Sequence, residues 1–162
     1  MLLYISTMLQ RIQSIYLFLA GLAIFALYLF PLAHNVYVGG TPINITVTGT
    51  YQDVSGQQQI KDHFVALSAV TAIMGIIPLI IIFLFKNRKQ QIALCYSAIL
   101  VIIGYSFWIA QTAKSVTGGV TLAASNFGIG LFLCPVSILL LILAIKNIQR
   151  DEKLIKSADR LR

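Results

Sequence analysis

Apolar and polar positions follow two different periods along this chain. At the long scale, four uncharged stretches run from Ile12 to Leu32, Val65 to Phe85, Ile92 to Gln111 and Phe127 to Ile145. A helix rises about 1.5 Å per residue, so about 20 apolar residues cross about 30 Å of hydrocarbon. Each stretch meets that length and is bounded by charge or loop chemistry: Arg11, then Lys86-Asn87-Arg88-Lys89, then Lys146. The pattern predicts an all-α membrane protein, a single four-transmembrane-helix bundle over residues 1–162. Its external loops are expected at 33–64 and 112–126, and its tail at 146–162.

At the short scale, Ile43-Asn44-Ile45-Thr46-Val47-Thr48 alternates residue by residue, the period of a half-buried strand. Val36-Tyr37-Val38 before Gly39-Gly40, and Thr50-Tyr51 after Gly49, are its expected partners in a small β-rich first loop. Such a sheet is marginal alone and has to rest on the helix ends. Asn44-Ile45-Thr46 also has the spacing of a glycosylation acceptor, relevant only in a eukaryotic host. In the tail, Leu154, Ile155, Ala158 and Leu161 share one face at about 100° per residue, and Glu152 and Lys156 are spaced as a favourable pair. That predicts an amphipathic C-terminal helix lying along lipid or meeting a partner.

The first stretch is longer than the about 7–15 residues of a signal-peptide core, and Pro31-Leu32-Ala33-His34 is a poor cleavage site. It reads as a retained anchor. Met8-Leu9-Gln10-Arg11 reads as a natural start, with Met1 to Thr7 an extension before it.

Composition agrees with a membrane class: 58% of residues are hydrophobic and only 10% charged, against about 25% charged in soluble domains. The formal net charge is +7, which in a soluble chain would point to nucleic acid. Placement gives another reason. Ten basic residues (Arg11, Lys86, Arg88, Lys89, Lys146, Arg150, Lys153, Lys156, Arg160 and Arg162) fall to one side of the expected spans, and only Lys61 and Lys114 to the other. Basic residues in short loops stay cytoplasmic, so both termini are expected inside and no nucleic-acid partner is needed.

Chemistry is mostly missing. No expected span holds an Asp, Glu, Lys, Arg or His, which argues against proton-coupled transport. There is no Cys-x-x-Cys, Gly-x-Ser-x-Gly or phosphate-binding loop, so no enzyme and no cofactor is predicted. Cys95 and Cys134 read as small buried hydrophobes. Gly128-Ile129-Gly130 reads as a site of close packing. His34 and His63, one after the first span and one before the second, are the candidate metal or haem pair, with Asp53 or Asp62 as a further ligand. Pro78 and Pro135 fall inside spans and should kink their helices.

Several segments carry a family resemblance. They are Gln10-Arg11-Ile12-Gln13-Ser14-Ile15-Tyr16-Leu17, Phe30-Pro31-Leu32, Phe85-Lys86-Asn87-Arg88-Lys89-Gln90 and the finish from Arg150 to Arg162. Together they resemble an inner-membrane family of Bacteroidota known as domain of unknown function four-two-nine-three. The resemblance covers nearly the whole chain and implies a four-helix inner-membrane protein with no activity or catalytic residue to carry over. Its recognisable segments are the cytoplasmic ends.

The expected function is therefore a non-enzymatic accessory or scaffold subunit of a bacterial inner-membrane complex. Lys86, Arg88, Lys89, Arg150, Lys153, Leu154, Lys156 and Arg160 would meet a protein partner or membrane lipid. The alternatives are a small carrier or channel for a neutral or lipidic substrate, hinged at Pro78 and Pro135, and a haem- or quinone-linked redox component using His34 and His63.

Overall fold

The structure, a computed structural model, describes residues 2–54, 57–85, 87–118 and 123–159. The chain runs α1 (Leu2–Phe25), β1 (Ala33–Val38), β2 (Thr41–Ile45), β3 (Gly49–Val54), β4 (Gln57–His63), α2 (Val65–Phe83), α3 (Arg88–Thr117) and α4 (Gly130–Asp159), with short 3₁₀ turns at Ala26–Tyr28 and Ala124–Asn126.

This corrects the expected fold class in two ways. The chain is not all-α, because the first loop folds as a four-stranded antiparallel sheet in the order β1-β2-β3-β4. Nor are four membrane-length helices found among the described residues. Val65–Phe83, Arg88–Thr117 and Gly130–Leu154 are long and apolar enough to cross a membrane, whereas the apolar helical stretch Ile12–Tyr28 is shorter. The run from Ile12 to Leu32 is not one helix. After Phe25 the backbone tightens into the 3₁₀ turn, and past Pro31, which has no N–H to continue a helix, it becomes β1. Leu27, Leu32 and Ala33 are buried in the same apolar cluster as the inward-facing sheet residues, so core burial, not lipid exposure, accounts for their apolarity.

The sheet is a meander whose buried face carries Val36, Ile43 and Ile45, continued past the end of β2 by Val47. The alternating segment stops being strand at Ile45. Beyond it Thr46 N donates to Gly49 O at 3.0 Å, closing a turn. β4 was not expected at all: Gln57-Gln58-Gln59-Ile60-Lys61-Asp62-His63 has no alternation, and pairing with β3 from Val54↔Gln57 to Gly49↔His63 makes it a strand.

Sheet and helices are joined at a tight seam. Gly128 N donates to Leu32 O at 2.9 Å and Gly130 N to Pro31 O at 3.0 Å. A Cβ at Gly128 would overlap the Pro31 carbonyl, so only glycine admits this approach. Gly128-Ile129-Gly130 thus packs against the Phe30–Pro31 turn, just ahead of α4.

Below the seam, α1 packs between α2 and α4. Its inward stripe is Gln13, Leu17, Ala20 and Ile24, continued by Leu27 in the 3₁₀ turn, all buried, while Ile12, Ile15, Phe18 and Leu22 are exposed on the opposite side. Gly21 faces Gly75 of α2: a Cβ there would sit 2.9 Å from Gly75 O, and one on Gly75 would sit 2.8 Å from the Phe25 ring. Small residues let the backbones approach this closely, as in packed membrane helices. Ser137 Oγ of α4 donates to Ala20 O at 3.0 Å. The Thr71 and Tyr105 hydroxyls join α2 to α3.

Candidate functional site

The end of the helices opposite the sheet closes on a buried polar knot. It grows from the helical stripes themselves. Leu141, Ala144, Ile148 and Asp151 lie on one face of α4 at spacings of three and four residues, and all are buried. The first three are apolar and the fourth is a carboxylate, only 3% exposed. Across from it, Gln13 opens the inward stripe of α1 and is 6% exposed. Gln13 Nε2 donates to Asp151 Oδ2, so the two stripes end on each other.

The knot extends to the turn between α2 and α3. Gln91 Nε2 donates to Ile81 O at 3.2 Å, a second bond to a carbonyl in the last turn of α2 that also accepts from Leu84 N at 3.2 Å. Arg88, in the first turn of α3, acts electrostatically on Asp151, as does Arg150. A carboxylate this deep is tolerable only when hydrogen-bonded and faced by positive charge, and the site supplies both. Asp151 Oδ1 and Arg88 Nη1 are buried without a hydrogen-bond partner among the described residues.

The contact residues expected from sequence divide into three groups. Arg88 is half-buried and drawn inward, with part of its guanidinium enclosed. Lys89, Arg150, Lys153 and Leu154 are exposed around the knot. Lys86 and Arg160 lie outside the described residues, as does the side chain of Lys156 within α4. Pro78 is buried in α2 and Pro135 exposed in α4, and each helix runs on through its proline.

His34 and His63 are not brought together. They sit on β1 and β4, the two outer strands. Three inter-strand gaps of about 4.8 Å separate them, on the order of 14 Å. His63 and Asp62 are exposed and the Asp53 side chain lies outside those described. Among the described residues no group of three His, Cys, Asp or Glu side chains could hold a metal ion.

Sequence reasoning missed Gln13 and Asp151, which are 138 residues apart. The signal was there in the stripes: each is a polar residue occupying the next core position of an apolar heptad-like repeat.

Among the described residues, three helices long and apolar enough to cross a membrane, with a sheet at one end and a charged knot at the other, define an α+β protein. The chain belongs to the family described as domain of unknown function DUF4293, whose profile matches residues 9–161. A comparison with curated proteins found no match.

Proposed function

We propose that this protein is a non-enzymatic accessory subunit of a bacterial inner-membrane complex, docking its partner through the basic end of its helices. The observation that carries this reading is the Gln13–Asp151–Arg88 knot. Its hydrogen bond joins α1 to α4, with the charge of Arg88 on α3 acting on Asp151, at the end where Lys89, Arg150 and Lys153 are exposed. A cluster of exposed cations at a packed helix end suits recognition of an acidic protein surface, because complementary charge steers and aligns the partner. With the excess basic residues held at that end, the topology is expected to be basic end in, sheet end out. The same cations would also rest against anionic headgroups, at about 1 kcal/mol per basic residue near the surface.

The test is gentle detergent extraction from native membranes followed by affinity capture and mass spectrometry. A stoichiometric membrane partner, lost when Lys89, Arg150 and Lys153 are all replaced by Glu, is the expected result. Recovery of this protein alone, from wild type and variant alike, overturns the proposal.

A second reading rests on a separate observation. Beside Pro135, Leu32, Ser106, Ile109, Leu131 and Cys134 line a cleft of about 220 Å³ between α3 and α4, whose mostly apolar walls suit a lipidic substrate. A small carrier would move such a substrate between leaflets, and Pro135→Ala would abolish flux in proteoliposomes. Unaltered flux in that variant excludes the hinge.

A further inference from the structure

At the sheet end, a polar pocket of about 370 Å³ opens between the end of α1 and the outward face of the sheet. That lies within the about 300–1,000 Å³ range of ligand sites. Its walls come from the alternation already visible in the sequence: Ile43, Ile45 and Val47 turn into the core, so Asn44, Thr46 and Thr48 turn the other way and line the pocket. Tyr51 pairs across the sheet with Asn44, and Tyr28 and His34 complete the polar lining.

The pocket has a built wall. The register of β1 on β2 slips between Ala33 and Val36, a bulge that re-aims side chains, and it carries His34 into the lining. Asn35 there has φ of 51°, left-handed backbone that Asn tolerates better than most residues. Asn126 Nδ2 holds the bulge by donating to His34 O at 3.2 Å and Asn35 O at 2.9 Å. Asn35 N donates to Asn44 Oδ1 at 3.1 Å, which orients the Asn44 amide and leaves its NH₂ as the donor of that wall. On the other side, Thr46 Oγ1, Thr48 Oγ1 and Tyr51 OH form a chain of hydroxyls at 2.8 and 2.9 Å.

From this lining we infer that the pocket binds a neutral, hydroxyl-rich ligand, a carbohydrate ring, either free or as the headgroup of a glycolipid. Among the described residues its lining holds no Lys, Arg, Asp or Glu, so neither an anion nor a cation finds a fixed counter-charge in them. Hydroxyls and an amide both give and accept hydrogen bonds, as a sugar's own hydroxyls do. The Tyr28 and Tyr51 rings supply flat apolar faces with a polar tip against the C–H face of the ring. Leu29, at 81% exposure, lies on the rim beside the lipid-length helices, where the tails of a glycolipid would leave the site.

The test uses the full chain in phosphatidylcholine nanodiscs. Saturation-transfer NMR with the methyl glycosides of glucose, galactose, mannose and N-acetylglucosamine probes the free source. Native mass spectrometry with monoglucosyl diacylglycerol doped into the disc probes the lipid source. Binding in either arm supports the site and identifies the source, provided Tyr51→Phe and Asn44→Ala each weaken it about three- to tenfold, the scale of one lost hydrogen bond. Tyr51→Phe keeps the ring and the fold, so an unchanged thermal unfolding midpoint separates a lost contact from a lost structure. No binding in either arm overturns the inference. So does binding that both variants retain, or a stronger pocket-dependent retention of phosphatidylglycerol.

Discussion

At the residue scale the most consequential group is Asp151, a carboxylate in a buried position of an apolar stripe. Its burial is tolerable because Gln13 donates to it and Arg88 faces it. Asp151→Ala leaves Arg88 with part of its guanidinium enclosed and the Asp151 charge gone, and is expected to cost about 1–3 kcal/mol. Thermal unfolding in detergent measures it. Replacing Arg88 by Leu in the same chain should recover part of the loss, because the charge left behind is removed as well. Simple additivity of the two substitutions would mean the charges do not interact. Glycine makes a second case. Gly75→Val drives a side chain into the Phe25 ring and should destabilise by about 1–3 kcal/mol. At Gly104 of α3 a Cβ meets nothing within 4 Å, so Gly104→Ala is expected to be neutral or to stabilise by up to about 1 kcal/mol, as alanine exceeds glycine in helix propensity.

At the element scale, the two kinds of strand in the sheet stand differently. β2 is central, paired on both sides, and sends Ile43 and Ile45 into the core. β4 pairs only with β3 within the sheet, and its Gln59, Ile60, Lys61, Asp62 and His63 are exposed. Amide hydrogens that open locally exchange before those needing global unfolding, so exchange of β4 amides is expected to outpace β2 by at least tenfold, read by mass spectrometry in detergent. Equal rates would mean that the sheet opens as one unit. The same contrast explains legibility. The period-two alternation of Ile43 to Thr48 was readable because one face is buried. β4 lacks such a face, so its pairing comes from β3 and the chain carries no local mark of it. The tail was readable as helix but not as part of α4, which continues from Gly130 to Asp159 without a break.

At the scale of the whole molecule, charge and apolarity are segregated along the helix axes. Gln13, Arg88, Gln91 and Asp151 lie at one end, and Tyr28, Ser68 and the sheet at the other, where Tyr28 OH donates to Ser68 O at 2.5 Å. The proposed orientation puts Lys89 and Lys153 inside and Tyr37 outside. Single cysteines at these positions (K89C, K153C, Y37C), in a chain with Cys95 and Cys134 replaced by Ser, are expected to react with a membrane-impermeant maleimide in intact cells only at Y37C. Labelling at K89C would invert the topology.

The sequence by itself determined the parts of this protein that depend on local periodicity. Three long apolar helices, the alternating strand at its centre and the clustering of basic residues follow from spacing and composition, which act within a few turns of chain. Tertiary structure decided where that local reading misled. The apolar run ending at Leu32 was divided between a helix and the seam under the sheet, because burial in a core and exposure to lipid select the same side chains. β4 became a strand only against β3. Asp151 became a buried partner of Gln13 only because α1 and α4 lie side by side. Each of these depends on contacts between residues far apart in sequence, and no single segment records what will be packed against it.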